Sequence, residues 1–169
     1  KQGSLLYQIP GTMAVAKETR CRVRIAYDEA ILLENIELTR DTRIKDVRIA
    51  EVMEVELIDP AEQPAFAIRS FNRQEQFVEK DEYTEWIFFV NPLREGQFPL
   101  LLRVSVIEKV GDKERVRDIV LEETVVIVAD PAAEAGDAGF KSSGLVVGEN
   151  TPVAPPAPAY MPAPAPYVQ

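Results

Sequence analysis

Three arginines set two residues apart, Arg20, Arg22 and Arg24 in "TRCRVRIAY", form the strongest candidate for a binding device. Side chains in an extended strand alternate between faces, so this spacing puts three guanidinium groups on one side, able to grip an acidic peptide or a phosphate. Cys21, Val23, Ile25 and Tyr27 then share the other face. A ladder of charge pairs is the competing use and the one that the pattern favours. Glu54 and Glu56 carry the same spacing in "VMEVELID", and a strand holding them beside the arginines would gain about 0.2 to 1 kcal/mol per cross-strand pair. A second basic group, Arg40, Arg43, Lys45 and Arg48, is interleaved with acids and reads as loop surface.

Other chemistries find less support. Histidine is absent, which removes the commonest general base and metal ligand and every triad built on imidazole. The single cysteine, Cys21, cannot make an internal disulfide or a thiolate zinc site alone, and its phase directs it inward as a small core residue rather than a nucleophile. Asp81, Glu82 and Glu85 supply carboxylates for Ca²⁺, but no DxDxDG loop organises them. A pair of carboxylates for glycoside hydrolysis needs a cleft that no sequence feature indicates. Trp86 shares its phase with Phe88 and Val90, as a core anchor does and an exposed sugar platform does not. No catalytic residue, cofactor site or metal ligand is assigned, and Arg20, Arg22 and Arg24 remain as the candidate partner-binding surface.

The elements that carry these residues follow from period-two alternation over residues 1–130. "SLLYQIP", "TRCRVRIAY", "AFAIRSF" and "PLLLRVSVIEKV" each read as strands, and "RVRDIVLEETVVIVAD" as the last one, entered through a hairpin turn at "GDKE". "KDVRIAEVMEVELID" reads as one long strand with Val47, Ile49, Met53, Val55 and Leu57 in phase, Glu51 marking a bulge or sheet edge. "TEWIFFV" is apolar on both faces, as a central strand is, and "NPLREGQF" is a turn in which Gly96 takes positive φ. "QEQFVEKDEY" is a polar connector around an edge strand. In "DEAILLENIELTRDTR", Asp28 is placed to cap a short helix carrying Leu32, Leu33 and Ile36, with a strand and loop as the alternative. The total of about seven or eight strands predicts an all-β, immunoglobulin-like antiparallel β-sandwich.

From Pro131 the composition changes: 39 residues hold 8 of the 13 prolines and 9 alanines, too little patterned apolar content to offset the entropy of ordering. Residues 131–169 are therefore expected to be a disordered Pro/Ala-rich linker or tail. "PVAP" has PxxP spacing, but no basic residue flanks the prolines as SH3-type recognition prefers. A net charge of −9 disfavours nucleic acid, and no apolar run approaches the roughly 18 residues of a membrane span.

Two segments, "IPGTMAVAKETRCRVRIA" and "TEWIFFVNPLREGQFPLLLRVSV", resemble the paired signatures of a β-sandwich module of multidomain prokaryotic signalling and conflict proteins, where it accompanies TIR-like, caspase-like or NTPase effectors. The resemblance spans most of residues 5–128 and rests on core and turn positions, so it implies a fold and no catalytic residues. The expected role is a non-catalytic interaction or scaffolding module, without cofactor, whose partners are other proteins or other domains of the same polypeptide. An extracellular adhesive or carbohydrate-binding module is the alternative, and a small acidic-site hydrolase ranks below it. The start at Lys1 without Met marks an excised piece or a processed product. The unpaired cysteine favours the cytoplasm, with secretion the case if an export signal was removed.

Overall fold

The computed structural model describes residues 1–130; the expectation for 131–169 lies outside the described residues. Ten strands follow in order: β1 Gln2–Gln8, β2 Thr12–Ala14, β3 Thr19–Ala26, β4 Thr42–Arg48, β5 Val52–Ile58, β6 Phe66–Ser70, β7 Glu75–Phe77, β8 Thr84–Pro92, β9 Gly96–Val110 and β10 Lys113–Val128. One helical turn, α1 Glu29–Leu32, lies between β3 and β4. The strands form two five-stranded sheets, β4-β1-β3-β8-β6 and β2-β10-β9-β5-β7. Neighbours are antiparallel except β2, which runs parallel to the end of β10. The fold is the all-β sandwich that alternation predicts, with ten strands instead of seven or eight.

Two features account for the difference. β2 is three residues long, too short for a periodic signal. The stretch expected to be one strand is two, β4 in the first sheet and β5 in the second, and the chain crosses between sheets at Ile49–Glu51. Its apolar phase survives because Val47 and Ile49 on one side of the crossing and Met53, Val55 and Leu57 on the other bury into the same interior. Glu51 is neither a bulge nor an edge residue; it is the exposed corner of the crossing. Asp28 does cap α1, accepting from the Ala30 amide at 2.9 Å, but the helix ends at Leu32, leaving Leu33 and Ile36 outside it. At the β9–β10 turn Gly111 has φ of 66°, as the first position of a two-residue II′ hairpin requires, and Gly96 opens β9 with φ of 139°.

Trp86 is fully buried among residues of both sheets. Its Nε1 donates to the Gln74 carbonyl at 2.7 Å, and that carbonyl also accepts from the Val55 amide at 2.9 Å. Because Trp86 lies on β8 and Val55 on β5, one oxygen joins the two sheets. A second tie runs from Tyr7 Oη on β1 to Glu123 Oε2 on β10, 3.1 Å away. Burial, and then the Glu123 charge and hydrogen bond, push the Tyr7 phenol from its ordinary value of 10 up to about 12.

Replacing Trp86 by Ala removes the largest fully buried side chain and should cost about 3 to 5 kcal/mol in denaturant unfolding, with no compensating repacking. The Tyr7 shift has a pH consequence. The folded chain holds the phenolic proton more tightly than the unfolded chain, so the tie is fully stabilising below pH 10 and its contribution is lost as pH rises toward about 12. Tyr7→Phe should flatten that part of the stability–pH profile; an unchanged slope would contradict the assignment.

Candidate functional site

β3 and β8 pair so that Arg24 faces Glu85, Arg22 faces Ile87 and Arg20 faces Phe89. All three arginines therefore lie on one face of the first sheet, as their spacing predicts, but they share no common task. Arg24 is buried. Its Nε donates to Glu85 Oε2 at 2.7 Å, one terminal nitrogen reaches the carbonyls of Leu32 (2.9 Å) and Glu34 (2.6 Å), and its guanidinium stacks 3.8 Å from the Tyr83 ring centroid. It pins the segment after α1 to the sheet, over a small apolar cluster of Leu6, Ala26 and Leu32. Arg22 Nε sits 3.2 Å from the same Glu85 oxygen, in ion-pair contact without hydrogen-bond alignment. Arg20 is exposed and lies over the Phe89 ring, which Arg69 approaches more closely at 4.5 Å.

The expected ladder with Glu54 and Glu56 does not exist, because β5 belongs to the opposite sheet. Glu56 instead ion-pairs with Arg103 on β9, directly across from it. The carboxylate that serves the stripe is Glu85, from the group considered for Ca²⁺; it is taken by two guanidinium groups. Of the second basic group, Arg43, Lys45 and Arg48 lie on edge strand β4 rather than in a loop, with Arg48 3.6 Å from Glu108, while Arg40 is in the turn that precedes it. Cys21 is buried, and burial pushes its thiol up to about 12, so it stays protonated and unreactive at neutral pH.

The outer face of the second sheet holds what the sequence reading missed. Cross-strand register aligns Phe77, Val52, Ile107 and Val116 in one row over β7, β5, β9 and β10. Ile107 is covered, but Phe77 is 73% exposed and Val116 56%. Beside that row, Glu75 stands directly opposite Glu54, a like-charge pairing that costs stability. β9 also runs past the start of β5, since its pairing with that strand ends at Ile107. Beyond that point lies an open groove of about 740 Å³ floored by Val52, Phe77, Ile107 and Val110. Its rim carries Glu51, Glu75, Glu108 and Glu114, with Lys109 as the one cation among the described residues that line it.

Sequence signals for this surface existed in retrospect. Phe77, Ile107 and Val116 are apolar at positions out of phase with the core, which on a half-buried strand should be polar. No protein-family model, curated protein or solved structure matches the chain.

Arg24→Ala strands two loop carbonyls and leaves Glu85 to Arg22 alone, and should destabilise by about 1 to 3 kcal/mol, as removing the donor of buried acceptors does. Arg20→Ala should stay within about 0.5 kcal/mol of the parent, as an exposed substitution does. Equal effects of the two in a thermal melt would contradict this division of roles.

Proposed function

We propose that the chain is a non-catalytic protein-interaction module of a larger protein, and that it holds a basic, apolar-anchored protein segment in the groove between β7 and the β9–β10 hairpin. The exposed apolar floor with its carboxylate rim carries this reading. Phe77, 73% exposed, and Val110, 53% exposed, line one groove with Val52 and Ile107, and a contiguous apolar patch of this kind marks an interaction surface. Glu108 is already paired with Arg48, which leaves Glu51, Glu75 and Glu114 against one ammonium and favours Lys or Arg on the ligand, and a cation placed near Glu54 and Glu75 relieves their opposition. Residues 131–169 are a poor occupant by charge, with Glu134, Asp137 and Glu149 against Lys141.

The partner is another protein or another domain of the same polypeptide. The resemblance of "IPGTMAVAKETRCRVRIA" and "TEWIFFVNPLREGQFPLLLRVSV" to a module of prokaryotic signalling and conflict proteins supports a scaffolding place in such an assembly, in the cytoplasm. The adhesive or carbohydrate-binding alternative draws on Phe71, 65% exposed and edge-to-face with Phe89. Arg20 and Arg69 already lie over the Phe89 ring, which leaves Phe71 as a single ring and not a platform.

Selection of a random peptide library on the full chain tests the reading. Enrichment of sequences that flank a bulky apolar residue with Lys or Arg is expected, with affinity falling as salt rises. Phe77→Ser should weaken the selected peptides at least about tenfold, the loss of about 1.4 kcal/mol, without lowering the melting temperature. Enrichment of acidic peptides, or binding indifferent to Phe77→Ser, would overturn it.

A further inference from the structure

β10 is 16 residues long, yet its outer edge is paired only at Val126–Val128, by the three residues of β2. Between the hairpin turn and β2, residues 113–125 meet no strand on that side among the described residues. The direction of its free groups follows from the paired end. The Val126 amide donates to Gly11 and the Val128 carbonyl accepts from Val15, so the even-numbered residues point their backbone groups outward. The register with β9 is unbroken from Lys113 to Ile127, which extends that parity to Glu114, Val116, Asp118, Val120, Glu122 and Thr124. Each offers one N–H and one C=O to the open side. Such an edge is a template for another strand unless something covers it.

We infer that a second copy of this chain covers it, β10 pairing antiparallel with β10 about a two-fold axis at Ile119, so that two sheets join into one. This edge meets the groove only at Glu114. Two independent features choose the same axis. The free stretch, bounded by the turn at Gly111–Asp112 and by β2, has Ile119 at its centre. The charge pattern selects that centre as well. Backbone parity lets the axis sit at Asp118, Ile119 or Val120, one residue at a time. Centring on Asp118 sets Asp118 against its own copy and Glu114 against Glu122. Centring on Val120 sets Asp118 against Glu122. Centring on Ile119 removes every like-charge opposition: Arg115 meets Glu123, Glu114 meets Thr124, Arg117 meets Leu121 and Ile119 meets Ile119. Arg115 and Glu123 then form a non-hydrogen-bonded pair, the closer of the two antiparallel spacings, and the symmetry makes two such pairs. Val120, 55% exposed, lies diagonal to its own copy across the seam, while Ile119 and Leu121, which already pack against the core from one side, gain a neighbour on the other.

Sedimentation equilibrium of the full chain, from low micromolar to millimolar protein, should show a reversible monomer–dimer equilibrium. Arg115→Glu and Glu123→Lys each create like-charge pairs with their own copies and should weaken self-association at least about tenfold. Mixed one to one, the two variants set the introduced glutamate of one chain against the introduced lysine of the other, while the second pair of the seam keeps the parent Arg115 and Glu123, so the mixture should dimerise as the parent does. Glu123→Lys also removes the Tyr7 partner, so Val120→Pro provides a second route: it deletes an outward N–H without touching the β9 ladder and should leave a folded monomer. A chain that is monomeric throughout overturns the inference, as does a dimer indifferent to Val120→Pro and to charge exchange. Phe77→Ser should leave the dimer intact, so failure here and failure of the groove reading give different results.

Discussion

The Gln74 carbonyl, accepting at once from the buried indole of Trp86 and from the Val55 amide, is the joint on which the molecule turns. An indole N–H removed from water must find an acceptor, and a carbonyl has two lone pairs to offer. Meeting that need here stitches β8 in one sheet to β5 in the other and fixes the start of β7 between them. β7 is too short to hold itself in place. Two further bonds, Gln76 Nε2 to the Glu85 carbonyl at 2.9 Å and Thr84 Oγ1 to the Phe77 carbonyl at 3.0 Å, keep it close to β8. The exposed Phe77 ring is thus presented by a strand anchored through the core, and the groove it floors is a consequence of how Trp86 is satisfied.

The arginine stripe shows how one strand divides a charge pattern into different tasks. Arg24 lies deepest, beneath the segment after α1, and commits its fork to Glu85 and two carbonyls that would otherwise lack donors. Arg22 shares the same carboxylate oxygen, and Arg20, at the open end, contributes only contact with an aromatic ring. The gradient follows the covering loop. A row of identical side chains becomes a structural pin at one end and plain surface at the other because burial, not residue type, decides what a guanidinium must do.

What alternation reveals is every side chain's inward or outward sense, and that suffices for an all-β sandwich. It does not reveal which sheet a strand joins, since the phase from Val47 to Leu57 runs unbroken through a crossing between sheets. That blindness explains the expected pairing of the arginines with Glu54 and Glu56: the faces are right and the neighbours wrong. The groove is hidden for the same reason, its floor being assembled from three strands far apart in sequence by register alone. Asp28 is legible because a cap is local, whereas the end of α1 after Leu32 reflects Arg24 drawing the following carbonyls toward the sheet.

Both surfaces proposed for partners involve the β9–β10 hairpin, and this has a physical reason. An edge in a sandwich is blunted by shortness or by charge. β2 and β7 have three residues each, β6 has five, and β4 carries Arg43, Lys45 and Arg48. The hairpin outgrows these limits because β9 and β10 extend beyond β5 and β2, so they leave the shelter of their neighbours while keeping each other's backbone bonds. Val110 lies past that point and has no interior to enter, while Val116 and Val120 face outward by their strand phase, so all three stay in water unless another chain supplies the missing layer. A sheet face takes side chains and a sheet edge takes backbone, so the groove and the β10 edge make different demands on what binds them, and occupying one leaves the other's hydrogen-bonding groups free.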